Sequence, residues 1–222
     1  MDDGGAVKSL TLIESGLTRE EYATFKKLST PSKIQDFLDS LAFNWEKKGD
    51  THRSPRHVLA ARKAHCIEGA LLATAALWIA GEPPLIMNLS PRMGKGDFDH
   101  VVALYKRGGH WGAISKTNHS VLRFRDPVYR TPRELALSYF HEWFLPTGEK
   151  VLECYSKPLD MRGLGTDWIT AEKDTWEISD ALSERKHYFF IPKGNWQHVR
   201  KADTMELKAG SLIEWKKSDK RT

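Results

Sequence analysis

Residues 66–80 read CIEGALLATAALWIA, and the fold reading turns on them. The stretch is apolar almost all the way round, the pattern of a helix buried on most of its faces. Gly81 is placed to end it and Pro83-Pro84 to prevent its continuation. At about 15 residues with Glu68 inside, it is shorter than the roughly 18–20 apolar residues a bilayer demands. It therefore reads as the central helix of a folded core.

Upstream, Thr18 and Glu21 form the ends of a capping box, which predicts a helix to about Leu28. Pro31 opens a second helix, with Ile34, Phe37, Leu38, Leu41 and Trp45 at helical spacing, expected to end at Gly49. Ser54-Pro55 starts a short helix through Ala61. Downstream the period changes to two. Leu85–Leu89, His100–Tyr105, Trp111–Ser115 and Val121–Arg125 are expected strands, the last ending at Asp126-Pro127. Gly108-Gly109 is the turn of a hairpin. Thr131-Pro132 caps a helix through about Phe144, and strands are expected at 151–155 and 187–191 with a short helix at 176–182. The expected architecture is α+β, a central buried helix on an antiparallel sheet. Residues 1–150 form the core with its N-terminal helices; 151–222 form a mixed, basic extension packed on it.

The 222 residues suffice for a core without disulfides or metal. The acidic Met1-Asp2-Asp3 start lacks an apolar h-region, so no secretory signal is expected. Cys66 and Cys154 make neither a disulfide framework nor a zinc spacing, so the expected setting is cytoplasmic and reducing. The net charge of +5 resides in residues 183–222, where ten Lys/Arg are scattered among five acids. Without a nucleic-acid motif that pattern reads as a solvated face, not a DNA or RNA site.

Three residues carry chemistry. Cys66 heads the buried helix, where the positive dipole end favours thiolate. His100 opens a strand after a Gly-rich loop. Asp126 closes a later strand and would hold an imidazole in the tautomer that accepts the thiol proton. A simple hairpin at Gly108-Gly109 sets a residue near 117 opposite His100, which makes Asn118 the alternate third member. His65 either tunes the thiol or merely leads into the helix; Asp99 is expected to point away from the His100 face. His110, His119 and His141 show no paired metal spacing, and no cofactor fingerprint is present. Trp111, Trp143 and Tyr139 read as core, and Cys154 as a buried structural thiol.

On these residues the chain resembles the transglutaminase-like branch of the papain-like cysteine peptidase superfamily. The resemblance runs through Arg62-Lys63-Ala64-His65-Cys66-Ile67-Glu68-Gly69-Ala70, Gly81-Glu82-Pro83-Pro84, His100 and Asp126-Pro127, about a third of the chain. It implies Cys66 as nucleophile, His100 as base and Asp126 as orienting acid. Bacteriocin-leader peptidases share the Cys…His…Asp-Pro order but place an oxyanion-hole Gln just before the Cys; here no Gln lies between 36 and 65. Val101-Val102 replace the usual aromatic residues after the His. The implied activity is acyl transfer or amide hydrolysis on a peptide or protein, as a peptidase, amidase or transglutaminase without cofactor. The alternative is a degenerate papain-like scaffold that binds a peptide or protein. Loops 92–97 and 106–110 are expected to edge the cleft.

Overall fold

The computed structural model describes residues 7–47, 49–192 and 194–213. In chain order the helices are α1 (Leu12–Ser15), α2 (Arg19–Lys27), α3 (Pro31–Ser40), α4 (Pro55–Ala61), α5 (Cys66–Ile79), α6 (Pro132–Leu137), α7 (Trp176–Ser183) and α8 (Thr204–Gly210). The strands are β1 (Ala42–Phe43), β2 (Lys63–Ala64), β3 (Leu85–Pro91), β4 (His100–Arg107), β5 (His110–Ile114), β6 (Arg125–Tyr129), β7 (Leu152–Ser156), β8 (Leu159–Asp160) and β9 (His187–Phe189). The large sheet runs β6-β5-β4-β3-β7-β9, with β8 also on β3, and every pairing in it is antiparallel. The fold is α+β.

Period-two alternation divides the core into two. Val101, Ala103 and Tyr105 of β4 face the layer that holds α2, α3, α4 and α5. Val102 and Leu104 face the other layer, with Leu135, Ala136 and Tyr139 from the α6 region and Leu152 from β7. Twelve of the fourteen residues of α5 are buried, so this helix sits inside the molecule as its all-round apolar pattern predicts. Burial of a side chain such as Leu71, Leu72 or Leu77 stabilises by about 1.5–3 kcal/mol each. The β4–β5 hairpin turns at Gly108 and Gly109, both at positive φ (55° and 75°), between the paired Arg107 and His110.

Three expectations change. The helix of residues 31–49 stops at Ser40. Leu41 turns extended, Ala42 N–H donates to Arg62 O and Asn44 N–H to Ala64 O, so pairing with β2 replaces the next helical turn. Trp45 is thereby moved out of the helical stripe into a cleft wall. The strand expected to end at Asp126 instead begins at Arg125, because residues 115–124 run as an irregular crossing. The helix expected from Thr131-Pro132 to about Phe144 ends at Leu137, with a separate 3-10 turn at Phe140–Glu142. Just past residue 150, β7 pairs with β3. Of the basic C-terminal residues, Lys193, Lys216, Lys217, Lys220 and Arg221 lie outside the described residues. Among the described residues no helix is long and apolar enough to cross a membrane.

A close approach fixes the start of α5. A Cβ added at Gly69 would collide with Cβ of Lys116 and stand 3.1 Å from its Cγ. Lys116 cannot move freely, since its Nζ donates to Leu38 O (2.9 Å) and Leu41 O (2.7 Å) at the end of α3. The Gly69→Ala change gains about 1 kcal/mol of helix propensity but overpacks a buried contact, at a cost of about 1–3 kcal/mol. The expected net result is a loss of up to about 2 kcal/mol, which lowers the melting temperature by as much as roughly 4–8 °C; a raised midpoint in a thermal melt contradicts it.

Candidate active site

The thiol is presented by local structure. Arg62 ends α4 at φ 53°, β2 pairs in parallel with β1, and His65 then stays extended as the N-cap of α5. Glu68 reaches back to accept the His65 N–H at 3.1 Å, the return arm of a capping arrangement. Cys66 is thus the first helical residue, partly exposed on a cleft of about 1050 Å3.

Two imidazoles flank the sulfur. His65 Nδ1 lies 3.9 Å from Sγ, while its Nε2 contacts Thr51 O at 2.7 Å and Glu46 Oε1 at 3.3 Å. His100, at the head of β4, lines the same cleft and favours the ionised thiol. Burial pushes the Cys66 thiol up, but the influence of His100 and His65 outweighs it and pulls the thiol down to about 5. Burial likewise pushes His65 down, yet its bond to Cys66 and the charges of Cys66 and Glu68 prevail and raise it to about 9. Around neutral pH the pair is thiolate and imidazolium.

The tautomer of His100 follows from its neighbour. His100 Nε2 is 2.8 Å from Ser115 Oγ, and Ser115 Oγ is 2.6 Å from Leu122 O. A hydroxyl has one proton, and Leu122 O can only accept, so Ser115 donates to Leu122 and accepts from His100 Nε2–H. The other ring nitrogen, Nδ1, is left as the acceptor for the thiol proton. Gln35 fixes Ser115 on both backbone groups: its Oε1 accepts from Ser115 N at 3.0 Å and its Nε2 donates to Ser115 O at 2.9 Å. Trp143 meets the His100 ring edge-on at 6.1 Å.

Asp126 does not join this group. Arg125 pairs with Ala113, which pairs with Leu104, so Asp126 enters β6 near the Tyr105 end of β4 and is exposed there. The delayed start of β6 is the reason. Asn118 is buried in the cleft wall, but among the described residues no hydrogen bond ties it to His100. Ser115 holds the orienting position instead. Its role depends on where its own proton goes, which no spacing rule reveals; the hairpin register near 117 is the nearest signal. Asp99 turns its carboxylate to Asn88 Nδ2 (2.7 Å), and its backbone O is 3.8 Å from Cys66 Sγ. Asp97, Phe98 and Asp99 line the cleft, whereas the 106–110 turn lies at the far end of β4 and does not. Cys154 is buried in β7, and burial with the nearby Glu153 charge pushes its thiol up to about 11.

No family model and no curated protein matches the chain. Among solved structures, LapG of Legionella pneumophila is similar at a TM-score of 0.39 and 11% sequence identity, over 80% of this chain and 97% of that one. The chemistry of the site rests on its own geometry: a thiol at a helix head, a buried imidazole of defined tautomer, and a second imidazole that carries charge.

Proposed function

We propose that this chain is a cysteine-nucleophile enzyme that attacks an amide or acyl carbonyl, on a papain-like (transglutaminase-like) scaffold. The observation that carries the reading is a thiol at the head of α5, 3.9 Å from His65 Nδ1, in one cleft with His100, whose Nε2–H is committed to Ser115. Sγ, ionised in the resting site by loss of its proton to His100 Nδ1, bonds to the carbonyl carbon. The N–H groups at the head of α5 meet the oxyanion. The proton passes from His100 to the departing amine, the C–N bond breaks and a Cys66 thioester remains. Water, or an amine in a transfer reaction, then attacks with His100 again as base, and the thiolate is released. Ser115 takes the orienting role in place of Asp126, and the charge on His65 favours the thiolate. Both thiols are free, which fits a reducing, cytoplasmic setting.

The test is acylation by p-nitrophenyl acetate followed by mass spectrometry and turnover measurement. A stoichiometric burst is expected, with a thioester on Cys66 that hydrolyses or passes to an added amine. His100→Ala is expected to slow acylation by at least about 100-fold. The neutral Ser115 where a carboxylate is usual favours the second reading, a scaffold that binds peptide without turnover. An acyl group that stays on Cys66, formed at a rate indifferent to His100→Ala, is the outcome that selects it.

A further inference from the structure

We infer that the cleft takes a positively charged group, an alkylammonium or guanidinium, beside the carbonyl that Cys66 attacks. The carbonyl's position rests on the proposed function; the charge preference does not.

The protein is basic overall at +5, yet its cleft has the opposite sign. Glu46, Asp50, Asp97, Asp99 and Glu142 line it. Among the described residues no arginine does, and the one lysine, Lys116, directs its ammonium to the carbonyls at the end of α3. Two of the five acids are already matched: Glu142 by Arg125 and Glu46 by His65. Asp97 and Asp99 differ. Asp97 accepts from Phe98 N–H (2.9 Å) and Trp143 Nε1–H (2.7 Å), and Asp99 from Asn88. These donors are neutral, and among the described residues neither acid forms an ion pair with lysine or arginine. Their wall borders the nucleophile through the Asp99 backbone oxygen.

Asn88 supplies the independent observation. It is only 4% exposed, lines the same cleft, and turns its Nδ2 to Asp99 and Ser90. Its Oδ1 has no hydrogen-bond partner among the described residues. A buried acceptor without a donor, next to a carboxylate, is a place made for incoming N–H groups that carry positive charge. An anion would leave Asn88 Oδ1 unmet and add repulsion, whereas the buried Nδ2 of Asn118, also without a partner among the described residues, calls for an acceptor elsewhere in the same cleft.

Such a cation comes either from a Lys or Arg side chain of a peptide substrate or from a free amine. The experiment uses the full chain with Cys66→Ala, so that nothing turns over. Blocked alanine-rich peptides that differ at one position (Lys, Gln or Glu) are titrated calorimetrically, with cadaverine as competitor. The Lys peptide is expected to bind at least about tenfold more tightly than the Gln peptide and the Glu peptide more weakly still, the ratio shrinking as salt rises. Asp97→Asn with Asp99→Asn is expected to abolish the preference; if that pair fails to fold, the three-peptide series on the Cys66→Ala chain still decides. Cadaverine that displaces the Lys peptide assigns the subsite to a free amine, and failure to displace it assigns it to a peptide side chain. Equal affinities for the Lys and Gln peptides overturn the inference. The p-nitrophenyl acetate burst is read separately: a charge preference without a burst overturns the enzyme alone, and a burst without a preference overturns the inference alone.

Discussion

Iodoacetamide at pH 7 is expected to modify Cys66 and leave Cys154 untouched, with a rate that rises through an inflection at about 5. The physical case lies in the two environments. The Cys66 thiol is pulled down to about 5, chiefly against its own burial, by His100 and His65. The Cys154 thiol is pushed up to about 11 by burial in β7 and by the Glu153 charge, against a smaller lowering by Ser90. At pH 7 the first is almost wholly ionised and the second about one part in 10,000. Part of that advantage is returned, because a low-pKa thiolate is the weaker nucleophile with a Brønsted slope of about 0.4–0.5, equivalent here to a factor of roughly 300–1,000. The remaining preference is at least about tenfold before access is counted, and burial of Cys154 adds to it. In His100→Ala the largest influence that lowers the thiol is gone, so the inflection moves to higher pH. A rate that titrates near the free-thiol value of about 8.5, unchanged by His100→Ala, contradicts the paired site.

The parts of this site differ in how far the amino-acid sequence reveals them. Helix α5 is legible because its period is absent: an all-round apolar run of this length has one stable place, inside a core. Cys66 and His100 are legible as element starts, the first residues of α5 and β4, and both line one cleft. The third member is not. Asp126-Pro127 is a sharper motif than any serine, yet a strand that starts late carries it to the wrong level of the sheet. Ser115 has no sequence signature at all; its acceptor role exists only because Leu122 O takes its proton and Gln35 holds its backbone. The acidic lining is equally hidden, because Glu46 and Asp50 come from before α5 and Asp97 and Asp99 from the β3–β4 loop. Trp143, read as core, is buried as expected but also borders His100, so one residue serves packing and site together.

Glu68→Gln is expected to destabilise the fold by about 3 kcal/mol or more, although within residues 66–80 the side chain looks only like an interruption of an apolar run. Glu68 is wholly buried and receives Thr51 Oγ1–H (2.8 Å), Asn44 Nδ2–H (3.1 Å), His65 N–H (3.1 Å) and Arg53 N–H (3.2 Å). Arg53 Nε and His65 Nε2 stand at 3.9 and 3.6 Å as charged neighbours. Every one of these partners offers a hydrogen, so the amide of glutamine, which keeps the shape, turns a donor toward donors. It also removes the negative charge that shares in raising His65. Two readouts then move together. The urea midpoint falls, and the His65 imidazole, followed by NMR, loses its proton at a lower pH than about 9. That second shift separates the electrostatic role from mere packing, because Glu68→Gln changes almost no volume. The same carboxylate ties residues 44–53 to the head of α5, so the segment that carries Trp45 and Glu46 into the cleft is held by the group that helps charge His65. Unchanged stability with an unchanged His65 titration is the result that sinks this account; a loss of stability alone would leave Glu68 as a structural carboxylate and shift the burden of holding the thiolate to His100.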